Sequence, residues 1–348
     1  MVRGRDLYRT RCAMLGLLCR LGVFVLIASV SGCGPTTFVV GLSPGDQEMV
    51  STVVEPAESR TRDRVAVVDV TGMIVNARIS GLLSEGENPV SVFAEQLEHA
   101  AEDDRVKAIV LRLNTPGGAV AASDMMYREV LDFKAKTGKP VVVVMMDVAA
   151  SGGYYLACAG DHLIAYPSTV TASIGVIFQT VSLQPALSSI GVQTEAITSG
   201  PNKDAGSPFS EMTEGHRAVY QQMVDTFYAD FTGIVRRARP GISESDFEEV
   251  TDGRVVTGRR ALEVGLVDSL GDLDDGFAKA KELAGLKDAS LIRYHRPLSY
   301  VGSPYAKAED RQPRSSGTQV NLLQLNVGES FGESASGCFY YVWLPGVR

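Results

Sequence analysis

Tryptophan occurs once in these 348 residues, histidine four times and cysteine five times. So few cysteines, without repeated spacing, exclude a disulfide framework and a zinc-ligand pattern. His99, His162, His216 and His295 are scattered, which argues against a metalloenzyme or a metal cofactor. Basic charge is short too: 33 Lys and Arg stand against 41 Asp and Glu, a net charge of −8. A nucleic-acid partner, which needs a basic face for its phosphates, is therefore excluded. Only the extreme N-terminus carries an apolar run near spanning length, which rules out a polytopic membrane protein. With 35 glycines, 15 prolines and 45% hydrophobic residues, the composition is globular and sufficient for a substantial core.

What is present begins with a targeting segment. Arg3, Arg5, Arg9, Arg11 and Arg20, against the single acid Asp6, precede the uncharged run Leu21 to Val30. This is the charged-then-apolar order of a secretory signal. The run closes on Val30-Ser31-Gly32-Cys33, which resembles the lipobox at which bacterial lipoproteins are cleaved and diacylated. The resemblance implies a signal peptide over 1–32, lipid on Cys33, and a body held at a membrane of the cell envelope, facing the periplasm or exterior. The alternative is an uncleaved anchor helix. Cys12 and Cys19 leave with the leader, so only Cys158 and Cys338 remain as thiols.

Residues 33–64 carry Pro35, Pro44, Pro56 and the charged stretch Arg60 to Arg64 without periodicity, and read as tether and lead-in. From Val65 the pattern changes. Val65 to Val70, Ala108 to Leu113 and Val141 to Met146 are apolar and β-branched, as strands buried on both faces are. Between the last two the spacing predicts a helix from an N-cap at Ser123 to Gly138. Further helices are expected over Thr213 to Arg239, Ser243 to Val250 and Asp275 to Ala284, with a late strand at Ala289 to Arg293. This alternation predicts an α/β domain over 65–296. Residues 297–348 turn polar, then end in an aromatic stretch, Cys338 to Leu344, expected to dock on its own domain or on a neighbour.

Three small-residue turns follow strands. Asn114-Thr115-Pro116-Gly117-Gly118 lets backbone amides approach a ligand closely. Ala149-Ala150-Ser151-Gly152-Gly153-Tyr154 sets a serine at a strand-to-helix turn, and Thr171-Ala172-Ser173-Ile174-Gly175 adds a second hydroxyl. Taken singly, each is more often a plain turn. Ala149 replaces the first glycine of a Gly-x-Ser-x-Gly elbow, and His162, the nearest histidine, has no evident acidic orienter for a triad. Lys203 sits in the turn-rich stretch Ser199 to Phe209; most such lysines are simply solvated.

Together with Asp252-Gly253-Arg254-Val255-Val256-Thr257-Gly258, and in this order, these motifs resemble the signal peptide peptidase A family of serine peptidases. The resemblance runs from Val65 to Gly271 in one copy, as in the shorter, single-domain branch. It implies a Clp-protease/crotonase-type superhelix of β-β-α units and a Ser-Lys dyad, with Ser151 as nucleophile and Lys203 as general base. By the same likeness Ser173 orients the lysine, Gly118 and Gly152 form the oxyanion hole, and no cofactor is needed. A lysine of ordinary pKa, about 10.4, is almost wholly protonated at neutral pH, so such a base needs a dry pocket. A single repeat further implies a homo-oligomeric ring in which Ser151 of one protomer meets Lys203 of the next. The expected activity is hydrolysis of hydrophobic peptides such as signal peptide remnants. The competing readings are a crotonase-type acyl-CoA hydratase or isomerase, which export disfavours, and a non-catalytic envelope scaffold.

Overall fold

The apolar runs become strands because alternate residues find a core on each face of one sheet. Ala66, Val68, Ile109, Leu111, Val141 and Val143 enter one buried cluster, and Val65, Val67, Ala108, Val110, Val142 and Val144 enter the other. The computed structural model describes residues 48–78, 86–297, 303 and 339–343. The expected signal peptide and Cys33 lie outside the described residues.

Along the chain run β1 (Val50–Glu55), β2 (Arg64–Thr71), α1 (Pro89–Glu102), β3 (Val106–Thr115), β4 (Gly117–Ala119) and α2 (Val120–Thr137). Next come β5 (Val141–Ala150), α3 (Gly152–Ala157), β6 (His162–Ala165), β7 (Val170–Ala172), β8 (Ile177–Phe178), α4 (Gln184–Ser189) and α5 (Glu214–Ala238). The remainder is α6 (Glu244–Val250), β9 (Val255–Thr257), α7 (Gly258–Glu263), β10 (Ser269–Leu270), α8 (Leu273–Leu283), β11 (Ser290–His295) and β12 (Phe339–Val342). Among these residues no helix is long and apolar enough to cross a membrane.

The main sheet has the order β1-β11-β2-β3-β5-β6-β10, with β7 pairing the far end of β5 and β9 pairing β7. Its pairs from β11 to β10 are parallel, while β1 lies antiparallel on β11. Parallel strands need coverage on both faces. Leu273, Phe277 and Ala280 of α8 cover one, and Phe93, Leu97, Met126, Val130 and Phe133 of α1 and α2 cover the other. A second, three-stranded sheet has the order β4-β12-β8. Thus β1 falls within the stretch expected as lead-in, and β12 within the expected tail.

Most helix ends follow the expected chemistry. Thr213 caps α5, Ser243 caps α6, and Gly138 ends α2 in the left-handed conformation. The N-cap expected at Ser123 is a correction: α2 starts at Val120 with Ala119 at the cap position and no side-chain cap bond. The helix springs directly from β4, and Ser123, already inside its first turn, donates to the Ala119 carbonyl at 3.0 Å.

Candidate active site

Strand β5 delivers Ser151 to the head of α3 with a backbone few L-residues adopt, φ 53° and ψ −114°. The Ser151 N–H donates to Ala172 O at 2.7 Å, and Tyr155 N–H donates to Ser151 O at 2.9 Å. Next to it Ala172 and Ser173 also have positive φ, 64° and 53°, and Ser173 N–H donates to Arg254 O at 2.8 Å. Non-glycine residues in such regions cost about 1–3 kcal/mol each and persist where their surroundings over-determine them. Here the flanking β7 and β9 strands hold them. Ser151 and Ser173 are 1% and 7% exposed. They line one cavity of about 450 Å³, walled by Ile174, Val176, Ile177, Tyr228 and Val342 and, on its polar side, by Asp225, Thr251 and Asp252.

Three glycines close around the serine because nothing larger fits. A Cβ on Gly118 would stand 1.9 Å from Ile74 O, and one on Gly117, at φ +96°, 2.1 Å from Tyr341 O and 2.6 Å from Gly152 N. One on Gly152 would lie 2.4 Å from Ser123 Oγ and 3.2 Å from Gly118 N. The Gly118 and Gly152 amides are thus neighbours beside Ser151, an arrangement suited to a developing oxyanion.

Across these glycines runs an extended strand of the protein itself. In β12, Tyr341 faces Gly118 and Val342 faces Gly117, while Phe339 and Tyr340 face Phe178 and Ile177 on the other side. The ladder continues as Trp343 N–H donates to Pro116 O at 2.8 Å. Tyr341 anchors it: the ring stacks on Tyr155 at 5.2 Å, packs on Phe231 at 4.8 Å, and its hydroxyl donates to Phe227 O at 2.9 Å. Of the two dockings left open by sequence, the aromatic end takes its own domain.

Lys203 is elsewhere. It is exposed, its N–H donates to Gly200 O at 3.1 Å, and it does not line the Ser151 cavity. The arm that carries it also exposes Val181, Leu183, Ile190, Val192, Ile197 and Phe209. The structure therefore brings Ser151, Ser173, Gly118 and Gly152 together and leaves Lys203 outside. His162 heads β6 opposite Val142, near the start of β5, so it sits at the other end of the strands from Ser151. It bonds Ser269 Oγ at 3.1 Å, and burial holds its pKa below the usual range. Cys158 is buried, its thiol pushed up to about 12 by burial, and is no nucleophile at neutral pH. Sequence reasoning missed Ile74, and it named Arg254 only within a family motif and Tyr341 only within an aromatic docking stretch, without a part for either in this site. Only the small residues at 171–175 signalled a backbone under constraint.

Comparison with known proteins finds family matches that together run from residue 61 to 287. Residues 134–287 match the model of peptidase family S49, and residues 61–198 that of Clp protease. Protease 4 of Salmonella typhi is 40% identical over 235 residues, 65% of this chain and 37% of that one. An Enterococcus faecium protein provisionally named signal peptide peptidase SppA is 28% identical over 346 residues, 96% of this chain and 98% of that one. A Synechocystis protein with a provisional protease name is 32% identical over 234 residues, 67% of this chain and 79% of that one.

Proposed function

The chain belongs to the signal peptide peptidase A family of serine peptidases, peptidase family S49, and from that membership we propose a membrane-tethered endopeptidase working through a Ser-Lys dyad. Ser151 is the nucleophile and Lys203 the base, with Ser173 orienting the lysine and the Gly118 and Gly152 amides holding the oxyanion. The observation that carries this reading is β12, an extended peptide laid between β4 and β8 across the glycine pair. A substrate strand entering the same way would meet Ser151 with its carbonyl at the two amides and its side chains on Ile174, Val176 and Ile177. The apolar side of this cavity, Ile174, Val176 and Ile177, suits hydrophobic peptides, signal peptide remnants among them.

In the reaction the neutral lysine amine takes the Ser151 proton as Oγ bonds to the substrate carbonyl carbon. The oxyanion collapses, the C–N bond breaks, and the amine leaves with the proton from the lysine. Water then cleaves the Ser151 ester by the same base. Each oxyanion donor is worth about 3 kcal/mol in such a step. The exposed position of Lys203 and the apolar arm around it support a ring in which each protomer lends its lysine to the next. Cys33 bears the lipid that holds the ring in the envelope.

The test is labelling with a serine-directed acylating probe, followed by peptide mapping and N-terminal mass analysis. Label on Ser151 and a lipidated Cys33 terminus are expected. Label on another residue overturns the dyad, and an intact Met1 terminus overturns the lipid tether at Cys33.

A further inference from the structure

The turn that carries Lys203 is tied to α5 at two points. Thr213 caps that helix by accepting from His216 N–H at 3.1 Å, which sets His216 in its first turn facing residues 201–206. His216 Nε2 lies 2.7 Å from Pro201 O. A carbonyl only accepts, so Nε2 carries the proton. One helical turn on, Tyr220 Oη donates to Ala205 O at 2.8 Å. The two tied carbonyls stand two residues before and two residues after Lys203. Gly206, at φ +78°, permits the close approach, since a Cβ there would lie 2.8 Å from Tyr220 Oη. The bonds around Lys203 itself, Lys203 to Gly200, Ala205 to Asn202 and Ser207 to Asp204, are local, and two further ties, from Leu183 N–H to Pro208 O and Thr194 Oγ1 to Phe209 O, come from the same arm and reach only the end of the stretch.

Packing alone does not account for His216. It is 5% exposed, and its Nδ1 is buried without a hydrogen-bond partner among the described residues. An unpaired buried nitrogen is unfavourable, a cost an aliphatic side chain would avoid. What the imidazole gains is the bond to Pro201, with the Asp204 carboxylate 3.8 Å from the same nitrogen. Tyr220 is braced in turn by stacking on Phe178 of β8, ring centroids 3.9 Å apart.

We infer that His216 and Tyr220 are positioning residues for the general base, clamping the Lys203 turn from both sides so that the amine is presented at a defined place. The inference rests on the reading of Lys203 as base. Neither residue lines the Ser151 cavity, so their loss should reach the chemistry and not substrate binding.

The test compares Lys203→Ala, His216→Leu, His216→Gln and Tyr220→Phe in the full-length, assembled enzyme hydrolysing a fluorogenic hydrophobic peptide. Misplacing a catalytic group by about 1 Å costs roughly 100-fold. His216→Leu is expected to lower kcat by about 10- to 100-fold with KM within about twofold, and Tyr220→Phe by about 3- to 10-fold. His216→Gln, whose amide can still donate to Pro201, should recover most of the loss. If Lys203→Ala keeps its activity, the base assignment falls. If Lys203→Ala is inactive while His216→Leu and Tyr220→Phe turn over like the wild type, the clamp falls alone. A loss carried by KM, or no rescue by His216→Gln, likewise overturns it. Should His216→Leu fail to assemble, Tyr220→Phe decides, since it removes one oxygen and keeps the ring.

Discussion

Two parts of this molecule carry the candidate chemistry and are built on opposite principles. The Ser151 end of the sheet is buried, strained and closed around glycines whose every Cβ position is already taken. The arm between β8 and α5 is open: Lys203 is exposed, Ile190 is 73% exposed and Ile197 99%. A nucleophile with two oxyanion donors needs sub-ångström order, which a sheet end supplies. A base that also needs a dry setting cannot find one on an exposed turn, so the proposed function requires a surface that covers it. The contrast teaches that one half of the candidate site is ordered within the chain, while the other, on the proposed reading, would be completed by contact.

The largest effect should come from the finished half. Ser151→Ala is expected to lower kcat by at least about 10⁴-fold while the melting temperature stays within a few degrees. Residual wild-type turnover in peptide assays would break the comparison at its stronger side. Next, mixing Ser151→Ala with Lys203→Ala subunits should restore activity at roughly a quarter of the sites, as random pairing in a closed ring allows. Hybrids that stay inactive after proven subunit exchange would put both residues to work within one chain. Truncation after Gly337 is expected to raise kcat/KM several-fold by clearing the groove, and to lower the melting temperature because Tyr341 is lost from the core. Unchanged kinetics would make β12 a wall and not an occupant.

The smallest effect should appear far from both parts. Burial works to raise the Asp268 pKa, but the hydrogen bond and charge of Arg239, with the Leu163 amide, more than reverse this and hold it below the usual carboxylate range. A lowered folded pKa means stability that is complete above the unfolded value, about 3.9, and is lost as pH falls through the folded one. Asp268→Asn should therefore be less stable at neutral pH, show a shallower loss on acidification, and keep its specific activity. Acid titration of the melting temperature checks the sign.

Much of the framework was legible in the sequence. Strands β2, β3 and β5 were visible because burial on both faces leaves uninterrupted apolar runs, and Thr213 and Ser243 announced their helices by capping chemistry. Strand β1 was not visible, since Val50 and Val53 are largely exposed and mixed with polar residues. Within the site, the turns marked Ser151 and Ser173 as candidates, but only the family motifs set them apart from ordinary turn serines. Their positive φ is imposed by the ladders around them, and no local preference of serine encodes it. The order Phe339-Tyr340-Tyr341-Val342 gives β propensity but no partner, because pairing with Gly118 spans more than two hundred residues. Ser123 misled for a related reason: its hydroxyl serves the Ala119 carbonyl, while the strand before it starts the helix.

The left-handed run at Ser151, Ala172 and Ser173 has a consequence for how this chain tolerates change. Each of these residues sits where glycine would be conformationally cheaper, so the segment stands off its own stability optimum by about 1–3 kcal/mol per position. Selection for thermal resistance alone would favour glycine at all three and erase both hydroxyls along the way. Screened without an activity readout, the fittest descendants of this protein would be its most durable and its least reactive.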